Sequence, residues 1–171
     1  DGATGIVLQK RGYTGDVCAE QWTLQHPEAI IDIQRGYVDS GSQVLYTPTF
    51  GANRRKLEEH GIFNRTEDYN RRLAALSEQA SGGRALRAGD ISPTGAFLAP
   101  LGDVSFEELV DIYTQQAAGL ESAGVDLFVI ETMMTLSDAR AAVLAVRSVS
   151  DKPVFVTFTC DENGRSISGG D

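Results

Sequence analysis

Cysteine, histidine and tryptophan are rare in this sequence of 171 residues, which contains two, two and one of them respectively. The two cysteines, Cys18 and Cys160, lie far apart and form no C-x-x-C pair, so no zinc-ribbon or thioredoxin-like motif is present. They could pair only if the fold brought them together. We therefore expect reduced thiols and a cytoplasmic location, because disulfides are rare in that compartment.

Long apolar runs and clusters of positive charge are also missing. No stretch of about 18 apolar residues occurs, which excludes a membrane-spanning helix. The first residues, DGATGIVLQKRG, show no charged region before a long apolar one, so no signal peptide is expected. The 24 acidic residues outnumber the 15 basic ones, and the formal net charge is −9 without any run of Lys and Arg. Neither nucleic acid nor a membrane is therefore an expected partner.

The sequence does contain enough apolar side chain for a core, at 42% of residues, with 23% charged. These values are ordinary for a globular protein, and the length suits one domain or part of a larger one. Helix patterns alternate with strand patterns along the chain. Predicted helices occupy residues 26–41, 53–60, 66–81, 105–124 and 136–150, and predicted strands occupy residues 43–49, 84–91, 125–131 and 152–160.

This alternation predicts a parallel sheet, because strands separated by helices are joined by right-handed crossovers. Two architectures fit such a pattern: the open doubly wound sheet and the barrel of eight strand–helix units. No G-x-G-x-x-G motif follows any strand, which counts against a dinucleotide-binding sheet. We therefore predict an α/β protein with the (β/α)8, or TIM, barrel fold.

Each predicted strand ends on residues that can take part in chemistry, and in a barrel such positions meet at one face, where the active site lies. They are Thr47 to Thr49, Gly89 with Asp90, Glu131, and Thr159 with Cys160. Glu131 ends the apolar stretch FVIE, and a buried charge is costly unless it is paired. We therefore expect Glu131 to face a shared pocket in which a cationic group meets it. Alternatively, Glu131 caps the next helix and Asp90 bonds its own loop.

Six motifs in one order make the sequence recognisable: DGATG, TFGANRRKL, GDISPTG, APLGD, IETM and DENGRSISGGD. Together they resemble the homocysteine S-methyltransferase family, and most nearly its homocysteine-binding modules in cobalamin-dependent methionine synthases. The resemblance runs from Asp1 to Asp171. It implies a zinc-dependent barrel that transfers a methyl group to the sulfur of L-homocysteine and so gives methionine.

The resemblance also implies that zinc is held by three cysteine thiolates, one after the sixth strand and an adjacent pair near the eighth. The metal would give a nucleophilic thiolate at neutral pH. Neither Cys18 nor Cys160 matches these positions, so we identify no metal ligand and no catalytic residue here, and we expect the zinc ligands beyond residue 171. Residues 1–171 are expected to be the N-terminal portion of the barrel domain, about strands two to five with their helices. The first strand and the C-terminal units are expected to be absent, and this portion alone is expected to be inactive.

Seven residues match positions that the family uses to bind its substrate. Glu131 and Asp1 correspond to acids that bind the homocysteine amino group, and the backbone amides near Gly2 and Ala3 correspond to the cradle for its carboxylate. Glycine suits such a cradle because it allows close approach. By this resemblance, the cationic partner of Glu131 is the substrate ammonium.

Thr49, Asn53 and Asp90 complete this predicted set, since they lie in matching motifs. For Asn53 an alternative is open, in which its side chain caps a helix and Leu57 packs inward.

Three functions remain open at the level of sequence. In the first, methylcobalamin is the methyl donor, loaded from methyltetrahydrofolate, and cobalamin and folate are bound by other modules of a longer protein. In the second, a free-standing enzyme uses betaine or S-methylmethionine. In the third, the chain is a non-catalytic fragment, as the missing cysteines suggest.

Overall fold

A sheet of four parallel strands forms the centre of the computed structural model, which describes residues 3–99 and 102–166. The strands are β1 (Val44–Tyr46), β2 (Leu86–Ile91), β3 (Leu127–Met133) and β4 (Val154–Phe158). They lie in the sheet in chain order, β1-β2-β3-β4. A doubly wound sheet reverses its strand order at a switch point, whereas a barrel adds each strand beside the last. The predicted barrel fold is therefore confirmed over these four strands.

Seven helices lie among the described residues. They are α1 (Thr4–Lys10), α2 (Ala19–Gln25), α3 (Pro27–Asp39), α4 (Arg54–Glu59), α5 (Thr66–Ser81), α6 (Phe106–Ser122) and α7 (Leu136–Val149). The five predicted helices are all present, as α3 to α7. The sequence did not predict α1 and α2. Both are short, α1 has no side-chain N-cap and α2 is capped by Cys18, whereas the still shorter α4 follows Asn53, a usual capping residue.

The larger core lies between the sheet and the helices. Phe128 and Ile130 of β3 pack there with Leu109 and Leu120 of α6 and Val146 of α7, all of them almost completely buried. Every second residue of a strand points to the same face, so the residues between them face the other way. These second-face residues of β1, β2 and β3 form a smaller cluster of their own: Val44, Tyr46, Ala88, Leu127 and Val129.

Strand register brings two acids together on this second face. Asp90 of β2 pairs with Val129 of β3, and Glu131 lies two residues beyond Val129. Because alternate residues share a face, Glu131 is the diagonal neighbour of Asp90. The carboxyl end of the sheet therefore presents both side chains in one direction.

No helix among the described residues has the length and apolarity needed to cross a bilayer.

Candidate functional site

A pocket of about 330 Å³ lies at the carboxyl ends of β1, β2 and β3, between them and helices α1 and α2. The two helices and the strand ends each contribute half of the described lining. Helices α1 and α2 provide Thr4, Gly5, Leu8, Ala19, Glu20 and Thr23. The strands and the segments after them provide Tyr46, Thr47, Pro48, Phe50, Asp90 and Glu131. This is the edge of the sheet at which the sequence predicts a site. The pocket brings Asp90 and Glu131 together, as that prediction requires.

Among the described residues, three carboxyl groups line this pocket: those of Glu20, Asp90 and Glu131. Asp90 is 4% exposed and Glu20 is 7% exposed, whereas Glu131 is half-buried. The Oδ1 atom of Asp90 receives no hydrogen bond from any residue that the structure describes. A buried carboxylate oxygen without a donor is unfavourable, so this atom is suited to a donor brought by a ligand.

Two threonines fix the main chain of Asp90 by hydrogen bonds, while the Asp90 side chain lines the pocket. The Asp90 amide donates to Thr47 Oγ1 over 3.0 Å, and the Asp90 carbonyl accepts from Thr49 Oγ1 over 2.7 Å. The two threonine hydroxyls also bond each other over 2.7 Å. Thr49 is completely buried and is not among the described residues that line the pocket. Its contact is with the main chain of Asp90.

Burial and neighbouring acids shift the protonation of the two strand-end carboxyl groups. Burial raises the pKa of Asp90 well above its usual range, and the charges of Glu131 and Glu20 raise it further, while Lys56 opposes the shift. Burial also raises the pKa of Glu131, although a hydrogen bond with Asp90 lowers it in part. The pair therefore holds a proton more readily than isolated carboxyl groups do.

Lys56 is the basic residue that acts on Asp90, and it approaches from outside the set of pocket-lining residues. Its Nζ atom lies 3.3 Å from Ser92 Oγ and 5.1 Å from the centre of the Phe50 ring. Burial lowers the pKa of Lys56, whereas the charges of Glu20, Glu59 and Asp90 raise it. The described residues of the lining include three acids and no base, so the pocket suits a small cation.

Glu20 was not among the residues predicted from the sequence. Its Oε1 atom accepts a hydrogen bond from the Gly51 amide over 2.6 Å. A Cβ atom at position 51 would lie 2.6 Å from that oxygen, so this approach requires glycine. The sequence pattern predicts site residues at strand ends, whereas Glu20 belongs to α2. This short helix is capped by the Cys18 thiol, which accepts a hydrogen bond from the Gln21 amide. Cysteine is not a usual capping residue.

Asn53 caps helix α4: its Oδ1 atom accepts a hydrogen bond from the Lys56 amide over 3.0 Å, and Leu57 is completely buried. This is the alternative interpretation of its motif, and a substrate-binding role for Asn53 stays a prediction. Ala3 is exposed and lies directly before α1, next to the pocket residue Thr4. The predicted binding residues Asp1 and Gly2 lie outside the described residues.

A zinc site with three thiolates does not fit the residues present. Cys18 is buried at the start of α2, Cys160 is exposed after β4, and both are free thiols. Within residues 3–99 and 102–166, no group of three His, Cys, Asp or Glu side chains is arranged to hold a metal ion.

Comparison with known proteins shows a consistent set of similarities. The profile of the family described as homocysteine S-methyltransferase matches residues 1–171. The methionine synthase of Mycobacterium tuberculosis is 28% identical over 188 residues, which cover 100% of this chain and 16% of that protein. Betaine–homocysteine S-methyltransferase 1 of Mus musculus is 32% identical over 173 residues, which cover 96% of this chain and 41% of that protein. The chain thus spans less than half the length of each of these curated relatives.

Solved structures show the same fold. The metallated form of the homocysteine methyltransferase MmuM from Escherichia coli superposes with a TM-score of 0.88 at 22% identity, over 99% of this chain and 65% of that one. The apo form gives a TM-score of 0.78 at the same identity.

Proposed function

This chain belongs to the homocysteine S-methyltransferase family, and we propose that it is the homocysteine-binding part of an enzyme that methylates the sulfur of L-homocysteine to give methionine. One observation carries the proposal. Three carboxyl groups line one pocket at the carboxyl ends of the strands, and a buried oxygen of Asp90 has no donor among the described residues. An α-ammonium group offers both a positive charge and several N–H donors, so it complements this pocket.

In this proposal Glu131 and Asp90 receive the ammonium group together. Glu131 is half-buried and lies where a ligand in the pocket can reach it. Asp90 lies deeper and supplies the oxygen that lacks a donor. The resemblance adds Asp1 as a further acid and the amides near Gly2 and Ala3 as the cradle for the substrate carboxylate.

The remaining requirement is a thiolate, because the thiolate and not the thiol is the nucleophile toward a methyl donor. We propose that zinc supplies it through cysteines beyond residue 171, as the family resemblance implies. The described residues do not fit a zinc site, so their part in the reaction is to bind and orient the amino-acid end of homocysteine. In this proposal residues 1–171 alone are inactive, as the N-terminal portion of a barrel whose first strand and C-terminal units lie elsewhere.

The methyl donor that we propose is methylcobalamin, charged from methyltetrahydrofolate and carried by other modules of a longer protein. The TFGAN and GDISPTG motifs and the methionine synthase relatives support it. Betaine, or S-methylmethionine, is the alternative donor, and the 32% identity to a betaine-dependent relative supports it. Supplying each donor in turn to the protein that contains this chain, with homocysteine, and measuring methionine decides between them. Methionine from none of the donors would favour a non-catalytic role.

The proposed ammonium site is tested by Glu131→Gln in the protein that contains this chain. The neutral amide cannot form the charge-assisted hydrogen bond, which contributes roughly 1.5–3 kcal/mol. Homocysteine affinity measured by calorimetry should therefore fall about ten- to a hundredfold. The matched control is Glu107→Gln, at an exposed glutamate of α6. Unchanged affinity in a folded Glu131 variant would mean that Glu131 does not bind the substrate.

We also infer a cytoplasmic location, in keeping with the two free thiols.

A further inference from the structure

A β-bulge lies at the end of β3, at Glu131 itself. Ile130 pairs with Val156 of β4, and the next regular pair is Met133 with Phe158. Between these pairs β3 has two residues, Glu131 and Thr132, opposite the single residue Thr157. Two residues opposite one define a bulge, and bulges redirect side chains next to active sites.

The extra residue of this bulge has an unfavourable backbone conformation. Thr132 has a φ of 61°, and among the described residues only Asn64 shares a positive φ without being glycine. Asparagine tolerates this region, whereas a β-branched residue there is an outlier. Such a conformation persists only where its surroundings hold it in place.

Two hydrogen bonds from the β4 side hold this conformation. The Thr132 amide donates to Thr157 Oγ1 over 3.1 Å, and the Thr159 amide donates to the Met133 carbonyl over 2.9 Å. Met133 itself is completely buried in the core on the helix side of the sheet. Of these two bonds, only the one to Thr157 Oγ1 involves a side chain and can be removed by substitution.

The bulge also decides which side chains face the pocket. Without it, strict alternation would put Met133 on the same face as Val129 and Glu131. With one extra residue, Met133 turns to the helix side and joins Phe128 and Ile130 in the core. The pocket face therefore ends on the Glu131 carboxylate, with the bulge directly after it.

We propose that Thr157 is a positioning residue for Glu131: its hydroxyl holds the Thr132 amide in the bulge and so fixes where the Glu131 carboxylate meets the substrate ammonium. Thr157 follows Val156 by one residue, so its side chain lies on the pocket face of β4, beside Glu131. This inference rests on the proposed function, since it assigns Glu131 to the ammonium group.

The test is Thr157→Val in the protein that contains this chain, with calorimetry of two ligands. L-Homocysteine carries the ammonium group, and 4-mercaptobutanoate is the same molecule without it. Loss of one neutral hydrogen bond should weaken homocysteine binding roughly two- to tenfold. Binding of 4-mercaptobutanoate should stay unchanged, and Thr157→Ser, which keeps the hydroxyl, should restore homocysteine affinity.

A control and a double variant make the result specific. Thr114→Val removes a threonine hydroxyl that bonds the Val110 carbonyl over 2.8 Å on α6, and it should leave both affinities unchanged. In a Glu131→Gln background, Thr157→Val should cause little further loss, because residues that act through each other are not additive. If Thr157→Val does not fold, Thr157→Ala replaces it with the same expectations.

Three outcomes would overturn the inference: unchanged homocysteine affinity in Thr157→Val, an equal loss for both ligands, or full additivity with Glu131→Gln. Failure of the proposed function gives a different result, since Glu131→Gln alone would then leave homocysteine affinity intact.

Discussion

At the scale of single residues, the pocket depends on two carboxyl groups that share one environment. Asp90 is nearly completely buried beside Glu131, and burial raises the pKa of both. The sequence predicted such a pairing of acids for Asp1 and Glu131 through the family resemblance. The structure shows that Asp90 also belongs to it, because strand register makes Asp90 and Glu131 diagonal neighbours.

This pairing predicts that an ammonium ligand releases protons when it binds. The empty pair has a raised pKa and retains protons at mildly acidic pH, whereas a bound cation favours the ionised form and lowers that pKa. Affinity should therefore decline as the pH falls through the raised pKa. The measurement is calorimetry of 2-aminobutyrate in buffers of different ionisation enthalpy. This ligand has no thiol, so proton release from zinc–thiolate formation does not contribute.

Asp90→Asn is the matched variant for this measurement. It keeps the shape of the side chain but cannot ionise, so proton release should become much smaller. No release from the unmodified protein across the acidic range would show that the two acids do not bind the ammonium group.

The burial of Asp90 also makes the free energy of unfolding depend on pH. An acid whose pKa is lowered by an ion pair stabilises the fold as the pH rises, whereas Asp90, whose pKa is raised, destabilises it. Asp90 binds protons more tightly in the folded state than in the unfolded state, because its folded pKa is raised. Its unfavourable contribution is absent below the unfolded pKa and grows as the pH rises from there toward the folded pKa. We therefore expect the free energy of unfolding of Asp90→Asn, measured with denaturant, to increase relative to that of the unmodified protein as the pH rises from the unfolded pKa to the folded pKa. A constant difference between the two at every pH would contradict this assignment.

At the scale of elements, the segment between β1 and α4, residues 47–53, both lines the pocket and provides the N-cap of α4. Asn53 begins α4, and Lys56, in the same helix, contacts Phe50 and Ser92 beside the pocket. Thr49, within this segment, accepts a hydrogen bond at its carbonyl from the Gln116 side chain of α6 over 2.8 Å. A buried polar network of this kind fixes one arrangement of the chain.

Asn53→Ala should therefore reduce stability. Loss of an N-cap costs roughly 0.5–2 kcal/mol, which chemical denaturation would measure as a lower free energy of unfolding. Asn53→Asp keeps the capping oxygen and should retain most of the stability. If Asn53→Asp is as stable as the unmodified protein but binds homocysteine less well, the substrate-binding role predicted from the family resemblance holds.

At the scale of the whole molecule, the described sheet ends at β4, which carries exposed apolar side chains. Among the described residues, β4 pairs on one side only, and its Phe155 and Phe158 are 60% and 43% exposed. An unpaired apolar edge invites pairing with another strand. The further units of the barrel that we propose would cover this edge.

The positions of the two thiols predict that residues 1–171 alone bind no stoichiometric zinc. Cys18 is buried as a helix cap and Cys160 is exposed after β4, so they cannot supply the three thiolates of a family site. Elemental analysis after mild chelation should find no tightly held zinc in this polypeptide. One tightly held zinc per chain would make Cys18 and Cys160 candidate ligands.

The sequence by itself determined the order and nature of the four strands and of five of the seven described helices. The four strands and the helices α3 to α7 follow from local patterns, because apolar spacing records which face of an element is buried. The same patterns placed Asp90 and Glu131 at strand ends and so predicted the edge of the sheet where the pocket lies. Helices α1 and α2 were not predicted, since neither begins at a usual capping residue.

Only the tertiary structure decided which groups meet at the pocket. Glu20 of α2 lines it and bonds the Gly51 amide, and Asp90 meets Glu131 because β2 and β3 pair in one register. The bond between Thr157 and the Thr132 amide likewise joins residues 25 positions apart. The physical reason is the distance along the chain over which each effect acts. A local pattern indicates which face of one element is buried, whereas packing between distant elements determines which group lies next to a buried polar side chain.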